Sequence, residues 1–90
     1  MSWQIDLSNS AIKELKALPR DRREQVIDAI DAMEKDPLAG DVRALQGKEW
    51  KGRYRKRTGR YRIIFSMDLA EKRVAISAVL TRSEKTYRLG

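Results

Sequence analysis

Residues 51–62 read KGRYRKRTGRYR, with seven Lys or Arg among twelve and no acidic residue. The 90-residue chain holds 20 basic and 13 acidic side chains, a formal net charge of +7. Without this stretch the other 78 residues balance, 13 against 13. The whole excess charge therefore sits in one segment. Its general chemistry is the binding of a polyanion: RNA, DNA or an acidic protein. Arginines outnumber lysines five to two within it. That ratio favours phosphate, because a guanidinium can grip two phosphate oxygens at once.

Spacing sharpens the reading. Successive side chains of a strand face opposite ways. Over residues 50–57, Lys51, Arg53, Arg55 and Arg57 share one face, with Trp50, Tyr54 and Lys56 on the other. Thr58-Gly59 suggests a tight hairpin turn. Beyond it Arg60 and Arg62 share a face, and Tyr61, Ile63 and Phe65 form the core side. Two adjacent strands would thus present up to six cations on one surface. An outward charged face that merely guards a sheet edge is the plainer alternative. It calls for interspersed signs, since like charges opposite one another in a sheet repel. Arg82, Lys85, Tyr87 and Arg88 can extend the surface at the C-terminal end. Tyr87 either stacks on a base or packs its ring against the end of the sheet.

Other chemistries fall away. The chain has neither histidine nor cysteine, so disulfides, thiolate or imidazole metal sites and Ser-His-Asp or Cys-His nucleophiles are excluded. No metal and no cofactor is expected. No apolar run nears the roughly 20 residues of a membrane span, and MSWQIDLSNS lacks the pattern of a signal peptide. The expectation is a cytoplasmic protein without a membrane partner. A basic strand differs from the amphipathic helix that usually lies on lipid.

Ninety residues make a single domain, here 1–90. WQIDL (3–7) alternates like a half-buried strand. SNS supplies helix caps. Ala11, Ile12, Leu15 and Leu18 recur at helical spacing until Pro19. A second helix starts near Arg20 to Arg22, with Val26, Ile27, Ala29, Ile30 and Met33 as its apolar stripe, and ends at Asp36-Pro37. Residues 38–50 read as a loop that Leu38, Val42 and Leu45 pin to the core. Strand signals follow at about 50–57, 60–67 and 73–80. This order predicts an α+β fold. An N-terminal strand and an antiparallel helical hairpin pack on a twisted, mainly antiparallel four-stranded sheet.

Taken in order, WQIDL, SAIKELKALP, REQVIDAIDAMEKDP, ALQG, YRKRTGRYRIIFSM and VAISAVLTRSEKTYR resemble the RelE/ParE superfamily of bacterial toxin–antitoxin systems. The ordered set Tyr54, Arg55, Arg57, Gly59, Tyr61 and Arg62 carries the most specific part of the likeness. The resemblance implies the fold just derived and a toxin restrained by a cognate antitoxin protein. RelE-like members cut messenger RNA in the ribosomal A site, and ParE-like members poison DNA gyrase. Arg55, Arg57, Arg62, Arg82 and Tyr87 stand where the RelE branch has its functional residues, which favours RelE. By that resemblance Arg62 stabilises the phosphate and Arg82 stabilises or protonates the leaving group. Tyr87 positions the base. Lys51, Arg53, Lys56, Arg60, Lys85 and Arg88 would track the RNA. The reaction would be metal-free attack of a ribose 2′-hydroxyl on the adjacent phosphorus.

A ParE-like gyrase inhibitor and an inactive basic RNA-binding module are the alternatives. Relatives often carry lysine where Arg55 and Arg57 stand, and arginine is a poor base. Lys56 has the wrong parity unless a bulge re-aims it, and Lys51 lies far from the turn. The general base is thus left unassigned.

Overall fold

The computed structural model describes residues 2–81, with Trp50 described in its backbone alone. The first strand, β1 (Gln4–Leu7), half-buries Ile5 and Leu7 and exposes Gln4 and Asp6. Ser8 then caps helix α1 (Asn9–Lys16), its Oγ accepting from the Ala11 amide at 3.0 Å. The same hydroxyl donates to the Ser77 carbonyl at 3.1 Å, which ties the helix start to a distant strand. Helix α2 (Arg20–Ala32) begins directly after Pro19. Its Arg23 guanidinium donates back to the Lys16 and Leu18 carbonyls at 3.4 and 3.1 Å. These are acceptors that a helix C-terminus leaves open.

Three strands run as an antiparallel meander after the edge strand β2 (Asp41–Ala44): β3 (Arg53–Thr58), β4 (Tyr61–Asp68) and β5 (Arg73–Thr81). The sheet order is β1-β5-β4-β3-β2, with β1 parallel to β5. The α+β class and the two helices match the sequence expectation. The four-stranded sheet does not, because the described residues form five strands. β2 lies in the stretch read as a loop. Only Val42 of its four residues turns to the core, so no alternation betrays it. A 3₁₀ turn, Lys48–Trp50, precedes β3, which therefore starts at Arg53 rather than residue 50.

The core lies between the helices and one face of the sheet. Ala11, Val26, Ile30 and Met33 meet Tyr61, Ile63, Phe65, Val74, Ile76 and Val79. Two residues of the expected helical stripes, Ile12 and Ile27, are instead open to solvent, as is the loop residue Leu38. A helix packed on a sheet from one side buries only a narrow stripe, and Ile12 and Ile27 flank it.

Alternation along β5 breaks once. Ile64 pairs with Ala78 but Phe65 pairs with Ile76, so Ser77 is an extra residue. This bulge lets Val74, Ile76 and Val79 all face the core. Glu14 of α1 accepts the Val79 amide at 2.7 Å beside it. Between β3 and β4, Thr58 pairs with Tyr61 around Gly59-Arg60. Gly59 has φ +58°, while Arg60 has no positive φ, the pattern of a type II′ turn.

Phe65→Ala is expected to cost about 3–5 kcal/mol, the usual range for emptying a buried aromatic site. Leu69→Ser, at a position 73% exposed, should stay within about 0.5 kcal/mol. Denaturant midpoints measure both, and equal midpoints would contradict this core. Gly59→Ala should cost about 1–2 kcal/mol through its left-handed backbone. A new Cβ there would also meet Gln25 Nε2 at 2.6 Å. Adding Gln25→Ala should recover only the contact part of the loss, as thermal melts of both variants would show.

A candidate phosphate-binding face

The sheet face turned from the helices collects the arginines. Its ladder runs Asp41–Arg57–Arg62–Leu80 in one row and Arg43–Arg55–Ile64–Ala78 in the next. Arg53 stands opposite Ser66, and its Nη1 donates to Ser77 Oγ at 3.4 Å. That hydroxyl donates in turn to the Ile64 carbonyl at 3.3 Å, so the bulge anchors the face as well as the core.

Four of the six cations expected on this face are there: Arg53, Arg55, Arg57 and Arg62. Lys51 precedes β3, and Arg60 occupies the turn. Lys56 corrects another expectation. No bulge interrupts its strand pairing, and it faces the helical side opposite Ile63. It is 8% exposed, and its ammonium donates to the Ala39 carbonyl at 2.7 Å. It fastens the loop before β2 and cannot touch a ligand on the arginine face. Arg82, Lys85, Tyr87 and Arg88 lie outside the described residues.

Sequence reasoning missed two members of the face, Asp41 and Arg43, because β2 itself was missed. Asp41 Oδ1 stands 3.9 Å from Arg55 Nη2, and Oδ2 stands 3.7 Å from Arg57 Nε. The acid-free segment is thus partly neutralised from a neighbouring strand. Both distances exceed hydrogen-bond length. The half-exposed carboxylate therefore acts through Coulomb attraction, worth about 0–1 kcal/mol for such a pair. It offsets the like-charge oppositions Arg43–Arg55 and Arg57–Arg62.

Arg55 is the most enclosed cation of the face, 8% exposed. Its Nη1 is buried and makes no hydrogen bond with the described residues. A buried donor left so costs about 1–3 kcal/mol, and an anionic oxygen would relieve that cost. Ile64 is also buried here, 1% exposed, although it lies outside the main core cluster. The arrangement suits a phosphate: enclosed and open guanidiniums side by side, on a rigid ladder.

A helical pair backing a five-stranded sheet is the fold of small toxins of the RelE/ParE superfamily. The family model described as the ParE toxin of type II toxin–antitoxin systems, parDE, matches residues 5–86, and the chain belongs to that family. Solved structures agree on the fold. A chain of the archaeal RelE–RelB complex from Pyrococcus horikoshii is 26% identical with a TM-score of 0.79, the match covering 93% of this chain and 99% of that one. A chain of the RelBE2 toxin–antitoxin complex from Mycobacterium tuberculosis is 22% identical with a TM-score of 0.82, over 91% and 100%. A YoeB/ParE toxin from Agrobacterium tumefaciens is 17% identical with a TM-score of 0.73, over 87% and 96%. No curated protein matches the sequence. Among the described residues no helix is long and apolar enough to cross a membrane.

The two faces should separate in mutants. Lys56→Met should lower the melting temperature, since it leaves the Ala39 carbonyl unmatched at about 1–3 kcal/mol, yet keep elution from immobilised heparin close to wild type. Arg57→Met should elute at lower salt with little change in melting. The opposite pattern would put the binding surface on the helical side.

Proposed function

We propose that this toxin is a ribosome-dependent messenger-RNA endonuclease that acts in the cytoplasm and is held inactive by a cognate antitoxin. The reading rests on Arg55, Arg57 and Arg62, which adjoin one another on the face away from the helices. Cleavage by 2′-hydroxyl attack gathers negative charge on a pentacoordinate phosphorus. Preorganised donors aimed at that charge are usually the largest catalytic term. In this reading Arg62 and Arg55 hold the non-bridging oxygens, Arg57 supports them, and Arg53 guides the strand. Arg82 stabilises the charge on the leaving 5′-oxygen, and Tyr87 stacks on the substrate base. No metal or cofactor takes part. An antitoxin with acidic residues would neutralise the same face and occlude it.

A second reading, inhibition of DNA gyrase, is favoured by the ParE description of the family model itself. Mapping RNA ends after induction separates the two. The RNase reading expects new messenger-RNA ends at codon-spaced positions. It also expects Arg62→Ala to reduce them by about 100-fold or more, the usual loss on removing a donor to a transition-state oxyanion, with an unchanged thermal melt. Intact messages together with trapped gyrase–DNA complexes would favour the gyrase reading instead.

A further inference from the structure

The arginine face holds few groups able to take a proton at neutral pH. Guanidiniums do not deprotonate in proteins, and the chain has no histidine. Tyr54 and Tyr61 pack with the core on the helical side. Lys56 lies on that side too, committed to the Ala39 carbonyl. Lys51 stands outside the β3 ladder. Asp6 and Asp68 adjoin Arg73 towards the β1 edge, and Asp6 is ion-paired with it at 3.4 Å. Asp41 differs from both. Its carboxylate is 47% exposed and lies 3.9 Å from Arg55 Nη2 and 3.7 Å from Arg57 Nε.

We propose that Asp41 is the general base of the RNA cleavage, an inference that rests on the RNase reading above. A phosphate gripped by Arg55 and Arg57 brings its ribose beside this carboxylate. The 2′-O–H bond breaks, its proton passes to an Asp41 oxygen, and its electron pair forms the bond to phosphorus. The P–O5′ bond breaks with its pair left on the 5′-oxygen, which takes a proton from solvent water. The products are a 2′,3′-cyclic phosphate and a 5′-hydroxyl. Asp41 releases its proton to the hydroxide so formed, and the balance closes without any further reactant.

The geometry gives this role a signature that a structural role lacks. Asp41 competes with phosphate for two guanidiniums. Removing its charge frees them, so RNA should bind as tightly or more tightly while cleavage slows. Loss of a mere strand-edge prop would weaken both.

The test is single-turnover cleavage by the full chain on ribosomes carrying a messenger RNA with an open A site. Asp41→Asn keeps the shape of a half-exposed residue, and matching melts with wild type confirm the fold. Its saturating rate is expected to fall about 100-fold or more, with a half-saturating concentration equal to or below wild type. Added formate should accelerate Asp41→Ala, where a cavity admits it, and leave Asp41→Asn unchanged. A saturating rate within about threefold of wild type would overturn the proposal, as would a slower rate with weaker binding. Formate without effect on Asp41→Ala would overturn it too. If wild type leaves the message whole, the RNase reading fails and this role with it. Wild-type cleavage with unaffected variants removes the base alone.

Discussion

The register of β3 against β4 holds the basic face in place. Tyr54, Lys56 and Thr58 stand opposite Phe65, Ile63 and Tyr61 on the helical side, so Arg53, Arg55 and Arg57 have only the other side to occupy. A slip of β3 by one residue would turn its three arginines onto the helical side, against Tyr61, Ile63 and Phe65. Burial of those apolar side chains, each worth roughly 1.5–3 kcal/mol against exposure, therefore also enforces the placement of charge. The Gly59 turn closes one end of this hairpin. The Ser77 bulge adjusts its far neighbour so that β5 stays in phase with the core on both sides of the break.

Charge on that face is held at a cost the fold partly offsets. Like charges oppose each other across two strand pairs, and Arg55 is enclosed with a donor left over. Asp41 relieves the repulsion without filling the donor, because its contacts are longer than hydrogen bonds. Bidentate pairing at hydrogen-bond distance would neutralise the arginines and take up their donors. The looser pairing eases the repulsion and leaves the Arg55 and Arg57 guanidiniums available to an anion.

The parity of KGRYRKRTGRYR was legible because alternation is a local property of a strand. Both helices and the central YRIIF strand followed from apolar spacing in the same way, and the break between the helices from the Pro19 ring. β2 was not legible. Its DVRA sequence exposes three of four residues, and its only warrant is the free edge of β3, a partner known after folding and not before. Asp41 and Arg43 went unread with it. Lys56 shows the converse limit: parity placed it correctly on the core side, but its carbonyl partner comes from a loop 17 residues earlier. The Ser77 bulge left no mark in RVAISAVL, where Ala75 and Ala78 fit either face.

Solved structures with RelE and with YoeB/ParE names share this backbone, so the backbone does not choose the target. In the reading proposed above, the choice belongs to side chains on the face turned from the helices. There this chain carries arginine at both central β3 positions, and arginine binds phosphate better than it moves protons. A lysine in such a place can combine both tasks, since crowding by other cations lowers its pKa. Arginine cannot, so the RNase reading divides the tasks between separate groups. The edge strand supplies the missing type: a carboxylate drawn beside the arginines by their own charge, at a site where β2 exists only because β3 has an edge to offer.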